Sequence, residues 1–229
     1  MRCIAHIHND FQSKFGIPRQ SGLVKDVLST IVFEKAYRDP QALRGIEEFS
    51  HLWLIWQFSE AKQDEFHPTV RPPRLGGNQR MGVFATRSPF RPNSIGLSSV
   101  KLVGVKNTPK DGTVLIVEGA DLKDGTPILD IKPYIAYTDS HPDAVGGFSD
   151  AVREYAVKVE FPDALWQCVA PNKQAALVKL LEQDPRPSYQ QDENRVYGMT
   201  FGGYDIHFQV KHGVLTVVDV QEYRRDVQS

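Results

Sequence analysis

The fold class is best indicated by residues 97–137, LSSVKLVGVKNTPKDGTVLIVEGADLKDGTPILDIKPYIAY. Within this segment, residues 97–106 and 112–120 alternate apolar and polar side chains with the period of a half-buried strand, and residues 128–137 form a third strand-like run. The turn at 107–112 separates the first two runs, and Asp124-Gly125 supplies the positive φ that a second tight reversal needs. Short strands joined by tight turns favour an antiparallel β-structure over alternating strands and helices.

The residues on the N-terminal side continue this pattern. We predict strands over 3–8, 29–37, 51–58 and 81–86, and a short helix over 40–49 that is capped by Asp39 and begins at Pro40. The run HLWLIWQF at 51–58 is nearly all apolar, which indicates a strand covered on both faces and makes Trp53, Trp56 and Phe58 core residues. The chain is therefore predicted to be mainly β, with a closed or nearly closed β-barrel domain containing one short helix over residues 1–145.

A smaller second domain is predicted over residues 150–229. Residues 138–151 are polar and lack periodicity, so we place the boundary near residue 150. A strand over 153–161 is followed by a helix over 173–183, where apolar residues recur at helical spacing until Asp184-Pro185 ends it. Three strands between 195 and 224 complete a small antiparallel sheet, which gives this domain an α+β composition.

Composition and charge exclude several classes of protein. The formal net charge of −1 argues against a binder that holds nucleic acid by overall charge alone. No apolar run could cross a bilayer and MRCIAHIHND shows no export signal, so we expect a cytoplasmic protein with no membrane partner. Cys3 and Cys168 are expected to be reduced. We find no GxGxxG, Walker A, HExxH, GxSxG or paired CxxC motif, and His6 and His8 lack a third ligand, so no metal site is predicted.

Positive charge is concentrated in one window. Residues 66–110 contain no Asp or Glu but eight cations: Arg71, Arg74, Arg80, Arg87, Arg91, Lys101, Lys106 and Lys110. The window includes RPPRLGGNQRMGVFATRSPFRPNSIG at 71–96, in which Pro and Gly constrain or free the backbone beside each Arg. Arg forks on rigid loops suit phosphate and carboxylate groups, so an anionic partner is expected. The alternative is that about half of these cations pair with acids elsewhere in the fold.

Five motifs together resemble the TsaA-like family of S-adenosylmethionine-dependent tRNA methyltransferases. They are IPRQSGLVK at 17–25, RGIEEFSHLW at 44–53, the segment 71–96, DGTPILDIKPY at 124–134 and DPRPSY at 184–189. The resemblance implies a β-barrel that binds S-adenosylmethionine, acts as a homodimer, and methylates the exocyclic amine of threonylcarbamoyladenosine next to the anticodon of threonine tRNAs. It also implies a cofactor site at Pro18, Arg19, Gln20, Ser59, Glu60, Arg87, Leu97, Asp124, Gly125, Thr126 and Pro127.

The substrate side of the site is expected to be basic and aromatic, because an anticodon loop presents phosphates and unstacked bases. The candidate tRNA contacts are Arg71, Arg74, Arg80, Arg91, Arg186 and Tyr189. The catalytic residue stays open: Asp130, Lys132 and Tyr134 are polar enough to serve, but their alternation also fits a solvent-facing strand. The competing interpretations are a non-catalytic RNA-binding module, a methyltransferase of another substrate and, least supported, a hydrolase.

Overall fold

The structure, a computed structural model, describes residues 1–61, 65–72, 79–152, 155–186 and 192–223. Its strands are β1 Ala5–His8, β2 Leu28–Phe33, β3 His51–Gln57, β4 Thr69–Val70, β5 Met81–Gly82, β6 Ile95–Thr108, β7 Gly112–Glu118, β8 Pro127–Pro133, β9 Lys158–Glu160, β10 Tyr197–Phe201, β11 Tyr204–Lys211 and β12 Val214–Glu222. Its α-helices are α1 Ala136–Asp139, α2 Asp163–Trp166 and α3 Pro171–Glu182, and 3-10 helices span Lys35–Tyr37, Pro40–Leu43, Ile46–Glu48, Val83–Ala85 and Gly147–Val152.

Six strands of the N-terminal half close on themselves in the order β1, β2, β7, β6, β3, β8 and back to β1. All six neighbouring pairs are antiparallel. Every second side chain points inward, and the interior is filled by aliphatic residues that include Ile7, Ile31, Leu54, Leu115 and Ile128, each with no exposed surface. The prediction of a mainly β chain is confirmed, and the edges that an open sheet would leave unpaired are joined.

Two predicted elements are interrupted for identifiable reasons. The helix expected over 40–49 is wrong: Asp39 does cap its first turn by accepting from the Gln41 amide at 2.9 Å, but Gly45 adopts φ 86° and divides the segment into two 3-10 turns. The strand expected over 128–137 ends at Pro133, and α1 follows. This short helix lies outside β3, where Asp139 accepts a 2.8 Å hydrogen bond from the indole of Trp53.

The second sheet has the order β10, β11, β12, β9. The first three strands are antiparallel, which confirms the prediction for them, and β9, whose partner was not predicted, pairs in parallel with β12. Of the strand expected over 153–161, residues 153 and 154 lie outside the described residues, and the described part forms β9 at Lys158–Glu160. Helix α3 buries Ala176, Leu177, Leu180 and Leu181, the spacing read from the sequence, and Asp184 with φ 51° follows its end.

A loop from the N-terminal half completes the second core. Phe11, Val24 and Val27 are at most 3% exposed and belong to the apolar cluster built by α3 and the second sheet. Ion pairs fix the same loop at both ends, since Lys173 holds Asp10 at 2.7 Å and Lys179 holds Asp26 at 2.5 Å. The segment that carries Pro18, Arg19 and Gln20 is therefore supported by the C-terminal half of the chain.

Both cysteines are free. In the described part of the chain, no helix is long and apolar enough to cross a membrane.

Candidate functional site

A cavity of about 890 Å³ opens beside the end of the barrel where β3, β6 and the turn before β8 meet. Four chain segments, 14–20, 56–61, 86–97 and 121–126, contribute its described lining. The structure brings together nearly all of the predicted cofactor residues there, namely Pro18, Arg19, Gln20, Ser59, Glu60, Arg87, Leu97, Asp124, Gly125 and Thr126. Pro127 adjoins the last of them but does not line the cavity.

Arg19 and Arg87 bring positive charge to the cavity. The Arg19 guanidinium donates to the Asp184 carbonyl at 2.6 Å, which ties the loop to the end of α3. Arg87 donates to Oε1 of Gln20 at 2.6 Å, so two segments distant in sequence are joined at the cavity wall. These side chains are guanidinium groups held by hydrogen bonds, which suits recognition of a carboxylate.

Glu60 supplies a fixed negative charge. Lys123 donates a short hydrogen bond to it, and the Lys14 ammonium lies 3.2 Å from its second oxygen. These contacts, with the Lys123 hydrogen bond first among them, lower the pKa of Glu60 against the opposing effect of burial. Glu60 is therefore a poor proton acceptor and a stable counter-charge.

The 124–126 turn is rigid because its backbone is hydrogen-bonded on both sides. The Asp124 amide donates to the Phe11 carbonyl and the Gly125 amide to the Ile7 carbonyl, both at 2.8 Å, while Gly125 adopts φ 79°. Thr126 closes the turn through a 2.7 Å bond from its hydroxyl to the Lys123 carbonyl. The turn is thus held by β1 and the following loop, and it presents a fixed set of polar groups to the cavity.

Asp121 also lines the cavity, and sequence reasoning missed it. Its Oδ1 accepts from the Ser98 hydroxyl at 2.5 Å, and Ser98 in turn accepts from the Trp56 indole at 3.0 Å. Burial raises the pKa of Asp121, although the hydrogen bond from Ser98 and the charge of Arg87 oppose that rise. No local motif marks Asp121, because an acid that follows a strand such as β7 and a Gly-Ala turn is a common pattern.

The predicted tRNA contacts do not all lie together. Arg91 lines the cavity and donates to the Thr86 carbonyl at 3.1 Å. Arg71 and Arg80 flank the paired residues Val70 and Met81 of the β4–β5 hairpin, outside the cavity lining. Arg74 and Tyr189 lie outside the described residues.

Arg186 has a structural environment that sequence reasoning did not foresee. Its guanidinium makes two hydrogen bonds of 2.7 and 2.8 Å to the Asp184 carboxylate, and its side chain is 13% exposed. Its cation also lies 5.9 Å from the centre of the Tyr197 ring. An arginine so engaged has little surface left for a phosphate.

The three polar residues considered for catalysis, Asp130, Lys132 and Tyr134, lie outside the cavity lining. Asp130 pairs with Lys132 at 3.0 Å, and Tyr134 packs with its ring centre 5.4 Å from that of Trp53. None of the three lines the cavity. Their alternation on β8 marks the outer face of the barrel, which was the other interpretation of the same pattern.

Aromatic side chains near the basic window are exposed. Phe66 and Phe84 are 54% and 72% exposed, and their rings stack at 24° with centres 6.2 Å apart. Among the described cations of the window, Lys101 forms an ion pair with Glu118. Arg80, Arg87 and Arg91 instead donate hydrogen bonds to neutral oxygens. Pairing with acids elsewhere in the fold is thus less extensive than the alternative interpretation expected.

Cys3, His6 and Glu34 offer ligand atoms within 4.8 Å of one another. In the sequence, His6 and His8 were considered together as metal ligands and no third ligand was found. Contacts between β1 and the end of β2 are not visible in a linear pattern. The trio lies apart from the cavity lining.

Comparison with known proteins agrees across the chain. The profile of the tRNA-methyltransferase O N-terminal domain matches residues 6–140, and that of the TrmO C-terminal domain matches 154–223. The tRNA (adenine(37)-N6)-methyltransferase of Escherichia coli is 39% identical over 215 residues, or 90% of this chain and 91% of the relative. A putative S-adenosylmethionine-dependent methyltransferase of Pseudomonas aeruginosa is 39% identical over 226 residues, 95% of each protein. The crystal structure of TrmO from P. aeruginosa gives a TM-score of 0.78 at 33% identity and covers 96% of this chain and 95% of that one.

Proposed function

Since this chain belongs to the tRNA-methyltransferase O family, we propose that it methylates the exocyclic amine of threonylcarbamoyladenosine next to the anticodon of threonine tRNAs. The coarser activity is that of an S-adenosylmethionine-dependent tRNA adenine methyltransferase. The single observation that carries the finer proposal is the cavity, whose lining includes Arg19 and Arg87 as well as Glu60, Asp121 and Asp124.

The cavity suits the chemistry of the methyl donor. S-Adenosylmethionine carries a carboxylate, an ammonium, a sulfonium, ribose hydroxyls and an adenine ring, and the lining offers guanidinium donors, carboxylate acceptors and apolar walls such as Phe58. Its volume also lies in the ordinary range of small-molecule sites. We assign the methionine carboxylate to Arg19 or Arg87, and the positively charged groups to Glu60 or Asp124. When bound, this cofactor supplies an activated methyl group.

The protein's own contribution is alignment and exclusion of water. An adenine amine is a weak nucleophile because its lone pair is delocalised into the ring, so holding it in line with the methyl group supplies much of the rate. Trp56, Phe58 and Leu97 give the cavity an apolar wall that displaces water from the reacting groups.

We place the tRNA over the cavity mouth. Arg91 lies in the lining itself, and Arg71 and Arg80 on the neighbouring hairpin add charge for the phosphates. The exposed Phe66 and Phe84 rings suit stacking against unpaired bases. We also propose a homodimer, which is supported by the exposed apolar side chains of Leu97 and Val103 on β6.

We further propose a cytoplasmic location and a division of the chain into two domains, residues 1–145 and 150–229.

The test is nucleoside mass analysis of tRNA from cells with and without the protein. The expected result is loss of one methyl group from threonylcarbamoyladenosine in threonine tRNAs, restored by complementation. If the same nucleoside keeps its methyl group in the deletion strain, the proposed substrate is wrong. A binding module would restore nothing, and purified protein would transfer no methyl group to that tRNA.

A further inference from the structure

We infer that Asp121 accepts the proton released by the adenine amine during methyl transfer. This inference rests on the proposed function, because it names a residue for a step of that reaction. Asp121 lines the cavity that holds the predicted cofactor residues and has no role in the assignments above.

The hydrogen-bond chain to Asp121 has a fixed direction. The Trp56 indole can only donate, so Ser98 must accept from it at 3.0 Å. The Ser98 hydroxyl hydrogen is then free to point at Asp121 Oδ1, 2.5 Å away. Trp56 is 7% exposed and Ser98 is 1% exposed, so water does not compete for these bonds. The carboxylate is thus held in one orientation by β3 and β6.

Of the three carboxylates in the described lining, Asp121 is the best suited to take up a proton. Glu60 is held as an anion by Lys123 and Lys14. Asp124 lies 3.2 Å from His8 and accepts from the Asn9 amide at the same distance. Asp121 is instead the carboxylate whose pKa is raised by burial, and the Ser98 hydrogen bond and the Arg87 charge oppose that rise. A catalytic base needs that balance between basicity and ionisation.

The step balances without a further reactant. The amine nitrogen forms a bond to the methyl carbon, the carbon–sulfur bond breaks, and its electron pair stays on sulfur. The nitrogen then loses its proton to the Asp121 carboxylate, which passes it to solvent through the open cavity after product release. The positive charge thus passes from sulfur, which becomes a neutral thioether, to the nitrogen, and leaves the nitrogen with the proton that neutralises the Asp121 carboxylate.

The other ionisable groups near Asp121 define what a pH profile reports. Arg87 faces it from the loop before β6, the Ser21 backbone donates to it from the 14–27 loop, and Lys123, Glu60 and Asp124 share the cavity. The pKa of Glu60 is lowered by its hydrogen bonds from Lys123 and Lys14. We call the fall in rate toward acid pH the acid limb of the pH profile. If the acid limb disappears when Asp121 alone is replaced, it reports protonation of the Asp121 carboxyl.

The experiment compares the full-length protein with Asp121→Asn, in which the amide oxygen still accepts from Ser98. With saturating S-adenosylmethionine and threonine tRNA, we expect the single-turnover rate to fall by about 100-fold or more, while calorimetric affinity for S-adenosylmethionine changes less than about threefold. The wild-type rate should fall toward acid pH as Asp121 protonates, and the variant should lack that limb. Asp130→Asn, the same change outside the cavity, should behave as wild type.

A second variant separates a chemical role from a structural one. Ser98→Ala removes a hydrogen bond that stabilises the Asp121 carboxylate, so the midpoint of the acid limb should move to higher pH. NMR titration of the Asp121 carboxyl in the wild-type protein, an assay independent of activity, should show the same pKa as the acid limb.

Several results would overturn the assignment. They are an Asp121→Asn rate within about fivefold of wild type, an acid limb that persists without the carboxyl, and a loss of cofactor affinity with an intact saturated rate, which would make Asp121 a cofactor ligand. A wild-type protein that transfers no methyl group to tRNA would remove the proposed function as well, so the two failures are distinguishable.

Discussion

At the level of single residues, Arg87 links the predicted cofactor motifs to one another. Its guanidinium donates to Gln20 at 2.6 Å, and its charge lowers the pKa of Asp121 against the effect of burial. We expect Arg87→Ala to weaken S-adenosylmethionine binding by about 10-fold to 100-fold, the cost of one charge-assisted contact. Isothermal calorimetry measures this, with Arg80→Ala as the control because Arg80 lies on the hairpin outside the lining. Unchanged affinity would exclude Arg87 as a cofactor ligand.

The Asp184 carboxylate is a buried charge that is paired with Arg186. Burial would raise its pKa, but hydrogen bonds from Arg186 and Tyr155 outweigh that effect and lower it. A carboxyl with a lowered folded-state pKa stabilises the protein above its unfolded pKa, and the contribution is lost as pH falls through the folded value. Asp184→Asn, which keeps the left-handed backbone accessible, should cost about 3 kcal/mol at neutral pH by leaving Arg186 unpaired.

Urea denaturation at several pH values tests this. The difference between wild type and Asp184→Asn should shrink below about pH 4, the ordinary range of the group. Glu160→Gln, which breaks an exposed pair with Lys158, should cost less than about 1 kcal/mol at any pH. An equal effect of the two substitutions would contradict the structural role of Asp184.

Some of these site residues could be predicted from the sequence, and others could not. Pro18 to Gln20 and Asp124 to Thr126 were identified because their motifs are contiguous and distinctive. Asp121 and Ser98 were not, because an acid after a strand and a serine on a strand have no local signature until β6 and β7 are placed side by side. The pairing of Arg186 with Asp184 was not predicted, because whether two charges only two residues apart are buried together depends on packing.

At the level of elements, the contact between β3 and β6 depends on one glycine. A Cβ added to Gly96 would lie 2.2 Å from the Trp56 ring, which is 7% exposed and has little room to move. We expect Gly96→Ala to cost about 1–3 kcal/mol and to displace the indole that bonds Ser98. Thermal and urea denaturation, with tryptophan fluorescence as a local probe, measure both effects.

Gly104 on the same strand provides the matched control. A Cβ there meets no atom within 4 Å, so Gly104→Ala should change stability by less than about 0.5 kcal/mol. If both substitutions are equally mild, β3 and β6 do not rely on close packing at Gly96.

Elements were predicted best where pattern and turn chemistry agreed. Strands β6 and β7 and helix α3 were all located because alternation or helical spacing ran between clear turn residues. The 40–49 and 81–86 segments were mistaken because their apolar residues suggested regular structure, while Gly45 and the 3-10 turn Val83–Ala85 interrupted it. Backbone conformation at a single residue overrode the periodic signal.

At the level of the whole molecule, a net charge of −1 coexists with a window, residues 66–110, that contains no acid, and two of its arginines, Arg87 and Arg91, line the cavity. We expect Arg91→Ala to weaken tRNA binding across sequences and to reduce the slope of log affinity against log salt by about one, since one phosphate contact is lost. Filter binding or fluorescence anisotropy over a salt series measures this. Lys158→Ala, on the second sheet and 71% exposed, should leave the slope unchanged. A wild-type slope for Arg91→Ala would remove it from the RNA-binding surface.

The architecture was predictable in outline because strand count, turns and composition limit a chain of this length to a few solutions. Composition does not reveal that a loop of the N-terminal half packs into the second core, where Phe11, Val24 and Val27 are buried. Such long-range contacts have no local pattern.

The packing of this N-terminal loop in the C-terminal core has a consequence for synthesis on the ribosome. The barrel strands leave the exit tunnel before α3 and the last three strands exist, so the loop bearing Pro18 to Gln20 must wait with its apolar anchors exposed. Methyl-donor affinity should therefore appear only when translation is complete, and a stalled nascent chain ending near residue 150 should be a chaperone client instead of a smaller enzyme.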